Sequence, residues 1–145
     1  MSEASGEKRA AIMTETAASI LASVSAFNSE GLRKFLTDDV TLELPFAPSE
    51  LGPRKIDGLD NVVATMSRAP TVYSVIRFTV TDNYPIPAMD TLILRAKSEG
   101  TLIRGGIYSN DYLMLFAFCG DRVVKWIEYF DALIVKELFS KLTAG

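Results

Sequence analysis

Near the end of the chain two carboxylates stand in a run of apolar and aromatic residues, Trp126-Ile127-Glu128-Tyr129-Phe130-Asp131. A carboxyl group held in apolar surroundings loses solvation, its pKa rises, and it can then give or take a proton near neutral pH. The run reads as a β-strand, and strand alternation separates the two acids. Trp126, Glu128 and Phe130 share one face; Lys125, Ile127, Tyr129 and Asp131 share the other. On the preceding strand, Asn110, Tyr112, Met114 and Phe116 lie on one face, opposite Asp111, Leu113, Leu115 and Ala117. A bulge would invert this parity, and Gly105-Gly106 is a place where one could form.

Histidine is absent from the 145 residues. That removes the usual neutral-pH acid/base, the Ser-His and Cys-His nucleophile pairs and most zinc sites. The single cysteine, Cys119, cannot form an intramolecular disulfide and lies outside any metal-ligand spacing. No nucleotide-binding or metal-binding fingerprint is present, so neither cofactor nor metal is expected. Any chemistry falls to carboxylates, phenols, cations, backbone groups or a bound cofactor.

The net charge of −3 and pI near 5.0, with Lys and Arg scattered along the chain, argue against a nucleic-acid partner. No stretch reaches the ~18 consecutive apolar residues of a membrane span, and the first ten residues, MSEASGEKRA, are polar. The expectation is a cytoplasmic protein that does not engage a membrane. With 48% hydrophobic and 23% charged residues, and no repeat, low-complexity segment or linker, the chain reads as one globular domain over 1–145.

The elements that must position the acids follow from periodicity. Ala17, Ile20, Leu21, Val24 and Phe27 form one apolar stripe of a helix over about 7–27. Ser29 can cap a short second helix carrying Leu32, Phe35 and Leu36, which Asp38-Asp39 ends. Residues 40–44 alternate as a strand up to Pro45, and an irregular Pro/Gly-rich loop follows. Leu59, Val62, Val63 and Met66 mark another helix after Asp57-Gly58. The period then changes to two: 74–81, 91–97, 101–118 and 122–130 read as strands, with turns at Glu99-Gly100 and Cys119-Gly120-Asp121. A helix over 133–142 closes the chain. The order predicts an α+β fold, a strongly curved antiparallel sheet with helices on one face.

This layout, with the runs Phe35-Leu36-Thr37-Asp38-Asp39-Val40-Thr41-Leu42-Glu43-Leu44-Pro45, Lys55-Ile56-Asp57-Gly58-Leu59-Asp60-Asn61-Val62, and Tyr108-Ser109-Asn110-Asp111-Tyr112 through Glu128-Tyr129-Phe130-Asp131, resembles the SnoaL-like and ketosteroid-isomerase-like branch of the NTF2-like superfamily. The resemblance spans nearly the whole chain. It implies a cone-shaped α+β barrel with helices packed on the concave face of the sheet and a cavity between them. It also implies homodimers packed through the convex face, where Leu113, Leu115, Ala117 and Ile127 supply apolar groups.

The resemblance places the isomerase oxyanion Tyr on Ile20, its base Asp on Leu44 and its oxyanion Asp on Met114. All three are apolar here, so that mechanism is not expected. The cyclase route needs a histidine and fails on the same ground. In the limonene-epoxide-hydrolase-like pattern, Glu128 takes the place of one catalytic Asp and Arg95 that of the network arginine. The second Asp falls on Lys97, and the Tyr and Asn helpers on Leu42 and Leu44, so half the network is kept.

These registers turn Glu128 and Met114 inward. The expected pocket for a small hydrophobic molecule is then Ile20, Leu44, Phe46, Asn110, Met114, Phe116, Trp126 and Phe130. Glu128 is the candidate acid/base, with Tyr112 or Arg95 assisting, on a hydrophobic cyclic metabolite handled by an isomerase or hydrolase. Glu128 has a second reading, as structural partner of Arg95 or Lys97, and the chain a second one, as a non-catalytic binding protein.

Overall fold

The computed structural model of the chain describes residues 3–143. Helix α1 (Glu3–Ser25) buries Met13, Ala17, Ile20 and Leu21, spaced one and two turns apart on a single face. It stops short of Phe27, which lies past the helix end in the left-handed region at φ 56°. The expected second helix is only a 3-10 turn, Glu30–Lys34, and strand β1 (Leu36–Glu43) begins earlier than alternation suggested. Asp38 and Asp39 therefore sit inside β1, where its pairing with a neighbour shifts register between Leu36 and Thr41. A short strand β2 (Lys55–Asp57), too brief to show a period, precedes α2 (Leu59–Met66).

Four long strands follow: β3 (Tyr73–Ile86), β4 (Thr91–Leu102), β5 (Ile107–Cys119) and β6 (Arg122–Phe130). Helix α3 (Ala132–Thr143) closes the described chain. The six strands form one sheet in the order β2-β1-β6-β5-β4-β3. Pairings are antiparallel except β1 with β6, which is parallel. The sheet stays open rather than closing into a barrel, with β2 and β3 as its edges. The edge position lets β3 run through Pro85, which has no N–H to give a second neighbour.

The hairpin expected at Glu99-Gly100 lies further on. Leu102 and Ile107 flank the turn, where Gly105 and Gly106 take φ of 94° and 97°, values that favour glycine. Gly100 is instead mid-strand, paired with Tyr108, and is small for a packing reason: an added Cβ would lie 3.0 Å from the Tyr73 ring and 3.1 Å from Ile76. With the glycine pair used in the turn, parity runs unbroken along β5. Tyr108, Asn110, Met114, Phe116 and Phe118 are all buried.

The main core joins α1 to the middle of the sheet, where Ile20, Leu92, Leu94, Met114, Phe116 and Trp126 are fully excluded from solvent. Phe116 and Trp126 stack at 5.8 Å and 29° between rings. A second, smaller cluster forms where α3 sets Val135 and Leu138 against Leu102 and Tyr108. No helix among the described residues is long and apolar enough to cross a membrane.

Candidate functional site

Between the two hydrophobic clusters lies a cavity of about 240 Å³. Its walls come from α1 (Val24), β1 (Leu42) and Leu44, the end of α2, β3 (Ile76, Phe78) and α3 (Phe139, Leu142). Polar groups are few. Glu128 enters from β6, and Tyr73, Tyr108 and Tyr112 bring phenols from β3 and β5.

Glu128 faces inward because β6 alternates, with Trp126 opposite Phe116, Glu128 opposite Met114 and Phe130 opposite Tyr112. No cation pairs with its carboxylate among the described residues. Burial among apolar walls pushes its carboxyl up to about 7. The neighbouring Trp126 indole works weakly in the other direction, favouring the charged form. Yet Trp126 Nε1 meets no acceptor in hydrogen-bonding geometry, and it is a fully buried donor on the same strand face. We take the indole as a nearby dipole rather than a hydrogen-bond partner.

The three phenols are all raised above their ordinary range, chiefly by burial, with the Glu128 charge adding to each, while hydrogen bonds from Tyr112 and Asn110 offset part of the rise at Tyr108. They are O–H donors at neutral pH. Asn110 holds one of them, Tyr108, from behind the cavity wall. Its Oδ1 accepts from the N–H groups of Asp111 at 2.8 Å and Asp131 at 3.1 Å. Its Nδ2 donates to the Asp131 carbonyl at 3.2 Å and to Tyr108 Oη at 2.9 Å. Two N–H donors on one atom set the amide's orientation, and every hydrogen-bonding valence of Asn110 is used.

Tyr108 and Tyr112 hydroxyls are 2.9 Å apart. Ser98 Oγ accepts the Asn110 N–H at 3.2 Å and donates to Tyr112 Oη at 3.4 Å. When Tyr112 donates to Tyr108, the Tyr108 O–H has no acceptor in this network and can donate to a ligand oxygen; in the reverse arrangement the Tyr112 proton can turn to Ser98 Oγ, which keeps a free lone pair.

Of the sequence-predicted residues, Glu128, Tyr112, Leu44 and Phe130 line the cavity. Asn110 stands one layer behind. Ile20, Met114, Phe116 and Trp126 have the expected inward orientation but belong to the solid core, because α1, through Ile20 and its neighbours, closes over the sheet residues there. Phe46 is 56% exposed and packs edge-on against Tyr129 at 5.2 Å, on the convex side. Arg95 is also misplaced by the family pattern. It alternates with buried Leu94 and Ala96, faces outward, and lies 3.8 Å from Asp82. It is neither an assistant to nor a structural partner of Glu128. Lys97 is likewise outward, 3.9 Å from Asp111. Asp131, at the strand end, caps α3 by accepting the Leu133 N–H at 3.0 Å.

Two tyrosines were missed. Tyr108 shares the parity of Asn110 and Tyr112, a signal the alternation already held. Tyr73 has the opposite parity to the inward Ile76 and Phe78; a bulge between Tyr73 and Val75 turns it in. Among the described residues no cluster of three or more His, Cys, Asp or Glu groups could hold a metal ion.

No family profile matches the chain. YesE, an uncharacterised protein of Bacillus subtilis (strain 168), is 26% identical over 103 residues, covering 70% of this chain and 69% of that one. A solved Bacillus subtilis structure, provisionally described as an isomerase, superposes with a TM-score of 0.83 at 22% identity, covering 91% of this chain and 95% of that one. An NTF2-like protein of unknown function from Burkholderia pseudomallei K96243 gives 0.75 at 19% identity, covering 88% and 96%. The chain has the NTF2-like fold.

Proposed function

We propose that the protein binds a small hydrophobic cyclic molecule in this cavity and acts on it by proton transfer, with Glu128 as the acid/base. One observation carries the reading: the half-buried Glu128 carboxyl faces an apolar cavity that raises it to about 7, with the hydrogen-bonded Tyr108–Tyr112 hydroxyls on the same lining. A base with its pKa near the working pH is present in both forms, so it can take a proton from carbon and return it elsewhere. The Tyr108–Tyr112 pair would hydrogen-bond to the oxygen where negative charge develops. This division of labour suits an isomerase. It suits a hydrolase of the Asp-Arg-Asp kind less, since Arg95 is on the opposite face. That vacancy in the network favours, as second reading, a binding protein without turnover. The Leu113, Leu115, Ala117 and Ile127 face, with Leu113 43% exposed, supports a homodimer in the same proposal, which a micromolar monomer by light scattering would refute.

Exchange of the α-protons of 2-tetralone in D₂O, followed by NMR, tests the chemistry without a natural substrate. The wild type should accelerate exchange, with a rate that rises with pH through about 7 as Glu128 ionises. Glu128→Gln should lower it by roughly 10²–10⁴-fold. Binding of the ketone with no acceleration over buffer would instead support the reading without turnover.

A further inference from the structure

Among the described residues the cavity's lining contains only two charged ones, Glu128 inside and Arg68 at the solvent-exposed edge. Arg68 follows the α2 cap residue Ser67, and its backbone is fixed at that rim. Its N–H donates to the Thr65 carbonyl at 3.3 Å. Its carbonyl accepts from Thr71 twice, from N–H at 2.9 Å and from Oγ1 at 2.6 Å. The guanidinium, by contrast, has no carboxylate within ion-pair distance among the described residues. Arg33, in the 3-10 turn after α1, is engaged with Glu30 at 2.7 Å and Asp60 at 2.6 Å. Arg68 therefore presents an uncommitted fork of donors over the mouth of an otherwise apolar chamber.

We infer that the ligand is an amphiphile, a compact apolar ring system inside the cavity with one anionic group at the mouth held by Arg68. This rests on the proposed function's reading that the cavity binds a small molecule, and adds what kind. Size supports a small ring body. A cavity of about 150 Å³ accommodates one benzene, so one of about 240 Å³ accommodates roughly ten ring atoms. Charge placement follows from electrostatics. An anion deep inside would lose solvation and face Glu128 with only neutral donors in return. At the mouth it keeps part of its water and gains a guanidinium, whose planar fork matches a carboxylate, sulfonate or phosphate. Arg68 is thus a specificity residue, separate from the proton-transfer pair.

The probes are 2-naphthoate and 2-acetylnaphthalene, nearly equal in shape and differing in charge, titrated by calorimetry at low salt. Wild type should bind the naphthoate about three- to fivefold tighter, the range of an exposed ion pair. The preference should shrink in 0.5 M NaCl by screening. Arg68→Gln should equalise the two affinities, and Arg68→Lys should restore part of the difference. The two probes should displace one another. If both bind and compete but the preference is absent, or survives Arg68→Gln, the amphiphile inference is wrong while the cavity reading stands. If neither binds, or they do not compete, the cavity reading fails and takes the inference with it.

Discussion

The two ends of the concave face carry the same alternation of inward side chains and meet opposite fates. At one end Met114, Phe116 and Trp126 lie under α1 and are fully buried in close-packed surroundings. At the other, Tyr108 and Phe130 pack against α3 and, with Tyr112, border the open cavity, and the polar groups gather there. The lesson is one of packing distance. α1 lies against the sheet with small and medium residues, Ala17 and Ile20, and fills the cone. α3 touches the sheet through a separate cluster and leaves a chamber between. Glu128 sits at the border, on the same strand face as Trp126.

The largest effect should come from breaking the filled end. Trp126→Ala removes a fully buried indole from a stacked pair and should cost about 3–5 kcal/mol in urea unfolding. Phe139→Ala, on the cavity wall, should cost well under half as much, because its ring already borders empty space. Equal costs would show that the two ends are packed alike.

Next comes the border residue. The Glu128 carboxyl titrates near 4.5 when unfolded and at about 7 when folded, raised by burial. Between those pH values the folded chain holds a proton the unfolded chain has lost. Stability from this group is therefore full below about pH 4.5, falls as pH rises, and levels off above about 7. The loss is on the order of 3 kcal/mol. Glu128→Gln should flatten that part of a stability–pH curve. A wild-type curve without the fall would mean the carboxylate is well solvated.

A smaller effect should follow at the open end. Asn110→Ala leaves the N–H and C=O of Asp131 without their partners and frees Tyr108 Oη. The expected loss is about 1–3 kcal/mol, with faster hydrogen exchange at the start of α3. Unchanged exchange there would detach Asn110 from the placement of the helix. The smallest change is Gly100→Ala, whose Cβ would press on the Tyr73 ring at 3.0 Å. It should cost about 1 kcal/mol and alter ligand affinity more than stability, since Tyr73 lines the cavity.

Alternation and chemical type alone settled a good deal. They put Glu128 on the face of Trp126 and Phe130, grouped Tyr112 with Met114 and Phe116, and removed the residue type that histidine chemistry needs. They also placed three of the principal helices and most of the long strands. These are local properties: a pleat reverses direction at every residue, whatever lies across from it.

What the tertiary structure decided was volume and register. Ile20, Met114, Phe116 and Trp126 point inward as expected, but only the approach of α1 makes them core rather than pocket. Arg95 was drawn into the site by the family pattern; its place between buried Leu94 and Ala96 on β4 sends it outward, toward Asp82. Tyr73 required a bulge, which exists only against β4. Parity belongs to one strand, and a sequence carries it. Empty space belongs to elements far apart in the chain, and appears only when they are brought together.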